Sequence, residues 1–142
     1  MENAYIKLVP ASNVHSISLD DVKNLFTYYK EITSKTGKQL DWDYDNAAFP
    51  YQIKEGNQQD NWFYLKSDHQ KYNAIIVGVG HDLLTDENGE TTEQPYLQIT
   101  LPQSSTAGDK GKANELSKFL AKKLEAELHL FNGRIMHFYK RK

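Results

Sequence analysis

Two stretches of this chain repeat their apolar residues at helical spacing on one side only, and most of what lies between them reads as strand. That order leaves few folds open. In the first stretch Ser18 stands as an N-cap, and Asp20 and Asp21 fall in the first turn. Val22, Leu25, Phe26, Tyr29 and Ile32 share one face, with Lys35 and Gly37 closing the helix. The second helix is expected from Lys112 to Leu128, with Leu116, Phe119, Leu120, Leu124 and Leu128 as its stripe. Ala4 to Val9 reads as a short strand stopped by Pro10, and Val14 to Ile17 as a second extended piece. Ala48 to Lys54, Trp62 to Lys66, Tyr72 to Val79 and Tyr96 to Leu101 are rich in aromatic and β-branched residues, the mark of strands. Asn88-Gly89 suits a tight turn joining the last two, and Arg134 to Tyr139 alternates as a final strand. The expected fold is α+β: a mostly antiparallel sheet of about five to six strands with two helices on one face, in the order β-α-β-β-β-β-α-β.

The length of 142 residues fits a single domain spanning 1–142. The absence of cysteine excludes disulfides, thiolate metal sites and a cysteine nucleophile. Met1 to Pro10 lacks a basic start followed by an apolar run, and no apolar run approaches the roughly 20 residues that span a bilayer. Neither a signal peptide nor a membrane partner is expected, and a cytoplasmic home is. The formal charge is -2, so nothing in the overall balance favours a nucleic-acid partner. Charge is nevertheless uneven. Residues 1–100 hold eight Lys and Arg against fifteen Asp and Glu, a net of -7, and residues 101–142 hold nine against four, a net of +5. The bland meaning is two faces complementary to each other; the sharper one is an electrostatic docking surface.

Three motifs invite chemistry and fall short of it. Asp41-Trp42-Asp43-Tyr44-Asp45-Asn46 begins like a calcium loop, but Asn46 stands at the sharp-turn position and Gln52 where a bidentate Glu belongs. Thr106 to Ala113 lies where phosphate loops lie, yet Thr106 replaces the first glycine and Ala113 the metal-binding hydroxyl. Anion binding by exposed amides there, helped by Lys110 and Lys112, stands against a plain solvated connection. None of His15, His69, His81, His129 and His137 is spaced as a metal pair on a helix, so no metal and no cofactor is expected. His81 follows Gly78-Val79-Gly80 and precedes Asp82, which makes it the residue on which a small hydrolase or isomerase would centre.

Residues 42–64 concentrate Trp42, Tyr44, Phe49, Tyr51, Trp62, Phe63 and Tyr64, interleaved with Asp43, Asp45 and Asp60. With period two, Trp62 and Tyr64 share one face of a strand while Phe63 and Leu65 share the other, so both faces carry apolar surface. Helices covering one face leave aromatics exposed on the other, unless loops such as 55–61 and 82–94 wrap it.

The chain as a whole resembles a family of small uncharacterised proteins of spore-forming firmicute bacteria, classed as a domain of unknown function. The likeness rests on Ile6-Lys7-Leu8-Val9-Pro10, on Thr36-Gly37-Lys38-Gln39-Leu40-Asp41-Trp42, and on Asn114 through Tyr139 with its Leu130-Phe131-Asn132-Gly133-Arg134 turn. It implies one α+β domain and carries over no site residue.

The leading functional expectation is a non-enzymatic binding or interaction module. Its contact surface is an aromatic, acid-rimmed part of the sheet around Trp42, Tyr44, Trp62 and Tyr64, and its partner is a protein or small molecule. The alternative is an anion or nucleic-acid binder using Lys110, Lys112, Lys118, Lys122, Lys123 and the basic tail 140–142. A homodimer through an open sheet edge or the aromatic face is a further expectation.

Overall fold

A computed structural model describes residues 1–40, 49–56 and 61–140, without the side chains of 34–40. The elements are β1 (Glu2–Lys7), α1 (Leu19–Leu40), β2 (Gln52–Glu55), β3 (Trp62–Lys66), β4 (Ala74–Thr85), β5 (Thr91–Leu101), α2 (Ala107–Leu124), β6 (Glu127–His129) and β7 (Ile135–His137). The strands form one antiparallel sheet in the order β2-β3-β4-β5-β1-β6-β7. The fold is α+β, with seven strands where five to six were expected.

Period two decides which side chains meet the helices. Phe63 and Leu65 of β3, Ile75 and Val77 of β4, Leu97 and Ile99 of β5, and Ala4 and Ile6 of β1 are buried on one face. Against them α1 sets Val22, Phe26 and Tyr29, and α2 sets Leu116, Leu120 and Leu124. The Phe26 ring meets Phe49 at 5.8 Å and Phe63 at 6.2 Å, and Tyr29 meets Phe119 at 4.9 Å, so both helices lie on that face. The Tyr29 hydroxyl also donates to Glu115 at 2.6 Å, beside an ion pair from Lys112 at 2.9 Å. Partial burial raises the Glu115 pKa, but the hydrogen bonds from Lys112 and Tyr29 outweigh it and hold the carboxyl below its ordinary range.

Caps set the helix starts. Asp21 N donates to Ser18 Oγ at 3.1 Å while Ser18 N donates to Asp21 Oδ2 at 2.9 Å, a reciprocal pair that begins α1 where the sequence places it. Gly37 does not end α1, which continues to Leu40. The second helix departs further from expectation, since it starts at Ala107 rather than Lys112 and stops at Leu124 rather than Leu128. Thr106 caps its start through Asp109 N, and Glu125 at φ 51 turns the chain out of the helix. Leu128 is therefore a strand residue, buried in β6. Val14 to Ile17 forms no strand, β2 begins at Gln52 rather than Ala48, and the segment 82–94 is mostly strand rather than a covering loop. The turn at Asn88-Gly89 stands as expected, with Gly89 at φ 78.

One buried group of α2 is a small defect. Ser117 Oγ is buried without a hydrogen-bond partner among the described residues. Removing an unsatisfied buried hydroxyl relieves its desolvation cost and leaves a void of only one small atom, so Ser117→Ala is expected to stabilise the protein by about 1 kcal/mol. Thermal unfolding checks this as a Tm rise of about 3 °C.

Candidate functional site

The sheet face away from the helices is an array fixed by register. One row runs Trp62, Gly78, Gln98, Tyr5, His129, Ile135, and the row beside it Tyr64, Ile76, Thr100, Asn3. On the other side of the first lies Gly80, Tyr96, Lys7, Glu127, His137. No helix packs on this face among the described residues.

The first two rows enclose a concavity of about 490 Å³, lined by Met1, Asn3, Asn61, Trp62, Tyr64, Ile76, Gly78, Val79, Gln98 and Thr100. Trp62 and Tyr64 stand edge to face, 4.7 Å apart, at one side. Gly78 leaves room for this: a Cβ there would sit 3.3 Å from Trp62 Cβ and 3.1 Å from the Asn61 carbonyl. Across the concavity, Thr100 Oγ1 donates to Asn3 Oδ1 at 2.6 Å. Gln98 Nε2 donates to the same oxygen at 3.1 Å and to Thr100 Oγ1 at 3.2 Å. Asn3 Oδ1 is thereby saturated, whereas Asn3 Nδ2 and Gln98 Oε1 make no hydrogen bond with a described residue. Every described side chain lining the concavity is uncharged. It therefore offers an aromatic wall, one free donor and one free acceptor to a ligand without charge.

Trp62 and Tyr64 of the expected aromatic surface are brought together here. Trp42 and Tyr44 lie outside the described residues, as do Asp43, Asp45 and Asp60 of the acidic rim and the whole Asp41–Asn46 segment. Sequence reasoning missed Asn3, Gln98 and Thr100, ordinary polar strand residues until register places them side by side.

The lysine set is dispersed. Lys110 pairs with Glu2 at 3.2 Å, Lys112 is buried against Glu115, and Lys123 lies over the Tyr28 ring at 4.5 Å. Lys118 and Lys122 are exposed. The start of α2 is already occupied by the chain's own anion. Fully buried Asp109 accepts from Thr106 N at 2.9 Å, Asn73 N at 3.0 Å, Ala74 N at 3.2 Å and the Tyr51 hydroxyl at 2.5 Å. Burial first, then the hydrogen bond and charge of Asp109, push the Tyr51 phenol well above its ordinary range.

His81 and His129 fall in separate places on the sheet. The His81 side chain is 56% exposed and 3.8 Å from Glu93, and it does not line the concavity. The β6–β7 hairpin does bring His129 and His137 to Glu127, at 2.7 and 3.7 Å, with Tyr139 donating to the same carboxylate at 3.3 Å. Period two and cross-strand pairing place all four together across the β6–β7 turn. Among the described residues, no group of three or more His, Asp or Glu is arranged to hold a metal ion.

A family model described as a domain of unknown function, DUF1885, matches residues 2–140. The chain is also similar to a solved structure, the crystal structure of a protein of unknown function from Bacillus stearothermophilus. The two are 41% identical with a TM-score of 0.55, over 92% of this chain and 94% of that one. No curated protein matches. No helix among the described residues is long and apolar enough to cross a membrane.

Proposed function

The chain belongs to the DUF1885 family of domains of unknown function, and we propose that it is a cytoplasmic, non-enzymatic binding module whose ligand seats on the open sheet face. The relative from Bacillus stearothermophilus supports an origin among spore-forming firmicutes. One observation carries the reading. An aromatic pair, Trp62 and Tyr64, faces two amides whose free donor and acceptor point to no described partner, in a concavity of about 490 Å³. The free donor and acceptor can exchange water for the polar edge of a ligand, and the gain comes from the apolar surface buried when the ligand covers an aromatic ring.

The ligand class follows from the lining. It is a small uncharged molecule with a ring to lie against Trp62 or Tyr64 and with both a hydrogen-bond donor and an acceptor at its edge, as in neutral sugars and nucleosides. The anion-binding alternative has less behind it, because Lys110 and Lys112 are each engaged in ion pairs within the chain.

The test is thermal unfolding with a panel of neutral sugars and nucleosides. A ligand at about a hundred times its dissociation constant adds ~2.7 kcal/mol, a rise of several degrees in Tm. Trp62→Ala is expected to weaken binding about tenfold, or ~1.4 kcal/mol, with Gln98→Leu doing at least as much by removing the acceptor. Both effects should be insensitive to salt, unlike binding of a polyanion. A hit that survives both substitutions would place the site elsewhere.

A further inference from the structure

The β4–β5 hairpin outruns its neighbours. β3 ends opposite Gly78 and β1 opposite Tyr96, so the rungs from Asp82 and Gln94 to Thr85 and Thr91 form a ribbon flanked by no other strand. A two-stranded ribbon alone is marginal in water. This one also exposes Leu83 at 65% and Leu84 at 47%. It is acidic throughout, carrying Asp82, Asp86, Glu87, Glu90 and Glu93, and no Lys or Arg occurs between Lys71 and Lys110. Within the described residues these acids meet basic side chains only at the base, through Lys7 and Asp82 at 3.6 Å and the His81 imidazole and Glu93 at 3.8 Å.

The basic end of α2 lies at the same end of the molecule, connected to the ribbon by the segment after β1. Leu84 and Pro95 line a concavity of about 330 Å³ with Val9, Pro10 and His15. The same segment then binds the helix end: Asn13 N donates to the Leu124 carbonyl at 3.2 Å and Asn13 Nδ2 to the Lys123 carbonyl at 2.8 Å. Beyond it Val14 and Ile17 line a second concavity, of about 310 Å³, with Leu124. The acidic arm, the segment 8–17 and the exposed Lys122 and Lys123 are thus linked in series by these contacts. An acidic arm and a basic helix end on one chain supply charge complementarity to a second copy, because a two-fold axis would make the acid-to-base contact twice.

We propose that a second copy of this chain is the partner, each copy laying its 82–93 arm across the segment 8–17 and the Lys122–Lys123 end of α2 of the other. Charge complementarity within one sequence is what selects a second copy over a foreign partner.

The test is the mass of the full chain by sedimentation velocity across a concentration series up to ~100 μM, at low and high salt. The expected result is a dimer that weakens as salt rises. Leu83→Asp with Leu84→Asp, both exposed positions, should weaken it at least about tenfold while leaving the circular dichroism unchanged. Lys122→Glu with Lys123→Glu should weaken it from the other side of the contact, whether or not the arm variant folds. Combining the lysine reversal with Glu87→Lys and Glu90→Lys should restore part of the loss. A monomer throughout overturns the proposal and leaves the arm to a basic foreign partner. A dimer indifferent to both arm and lysine variants overturns it as well.

Discussion

Asp109→Ala is expected to destabilise the protein by about 3–5 kcal/mol, a Tm fall of about 10–15 °C in thermal unfolding. The carboxylate is fully buried and serves donors from three parts of the chain: Thr106 N at the start of α2, Asn73 N and Ala74 N where β4 begins, and the Tyr51 hydroxyl ahead of β2. Truncation leaves the buried Ala74 N and Tyr51 hydroxyl with no acceptor and the half-buried Thr106 N and Asn73 N without theirs, and it removes half of the capping box at Thr106. Asp109→Asn, which keeps one acceptor oxygen but turns an amino group toward at least one N–H, should lose an intermediate amount.

The same cluster sets an alkaline limit. Tyr51 has its folded pKa raised above the ordinary tyrosine value near 10, by burial and then by Asp109. Above about pH 10 the unfolded chain releases this proton while the folded one keeps it, so stability falls as pH rises from there. Below about pH 10 the contribution is fully present. Tyr51→Phe has no proton to release, and its denaturation midpoints should fall less steeply between about pH 10 and 11 than those of the unaltered protein. An equal slope would contradict the assignment.

The second large effect runs against helix propensity. Gly108→Ala places a better helix former in the first turn of α2, yet its Cβ would lie 2.4 Å from the Lys71 carbonyl oxygen and 3.1 Å from the Tyr72 ring. That carbonyl cannot yield cheaply, because it is backbone and accepts from Thr106 Oγ1 at 2.7 Å. The expected loss is about 2–4 kcal/mol. Gly111→Ala, three residues further along the same helix with nothing within 4 Å of its Cβ, should instead gain about 0.5–1 kcal/mol. Opposite signs at two glycines of one helix, read by urea denaturation, separate close approach from propensity.

Those residues also show why part of the fold was legible and part was not. Ser18 with Asp21 announces α1, alternation fixes β3 at Trp62–Lys66, and Asn88-Gly89 marks a hairpin; each is a local signal that tertiary structure leaves alone. The segment Thr106-Ala107-Gly108-Asp109 is different. A capped helix start and an anion-binding loop use the same amides, and only the Asn73, Ala74 and Tyr51 donors, far away in sequence, show that Asp109 supplies the anion. The end of α2 is ambiguous for another reason. Leu124 and Leu128 are spaced for a helix, while Ala126, Leu128 and Leu130 are spaced for a strand, and Glu125 at φ 51 decides between them. In the candidate site, period two pairs Trp62 with Tyr64, but Asn3 and Gln98 lie 95 positions apart and meet only through the β1–β5 register.

The most direct measurement is a 1H–15N NMR titration of the full chain with neutral sugars and nucleosides. A ligand on the open sheet face predicts perturbations gathered on Asn3, Asn61, Trp62, Gly78, Gln98 and Thr100, lost in Trp62→Ala. Perturbations centred instead on the start of α2 or on Lys118 and Lys122, or none across the panel, would contradict a binding site between Trp62 and the Asn3–Gln98 amides.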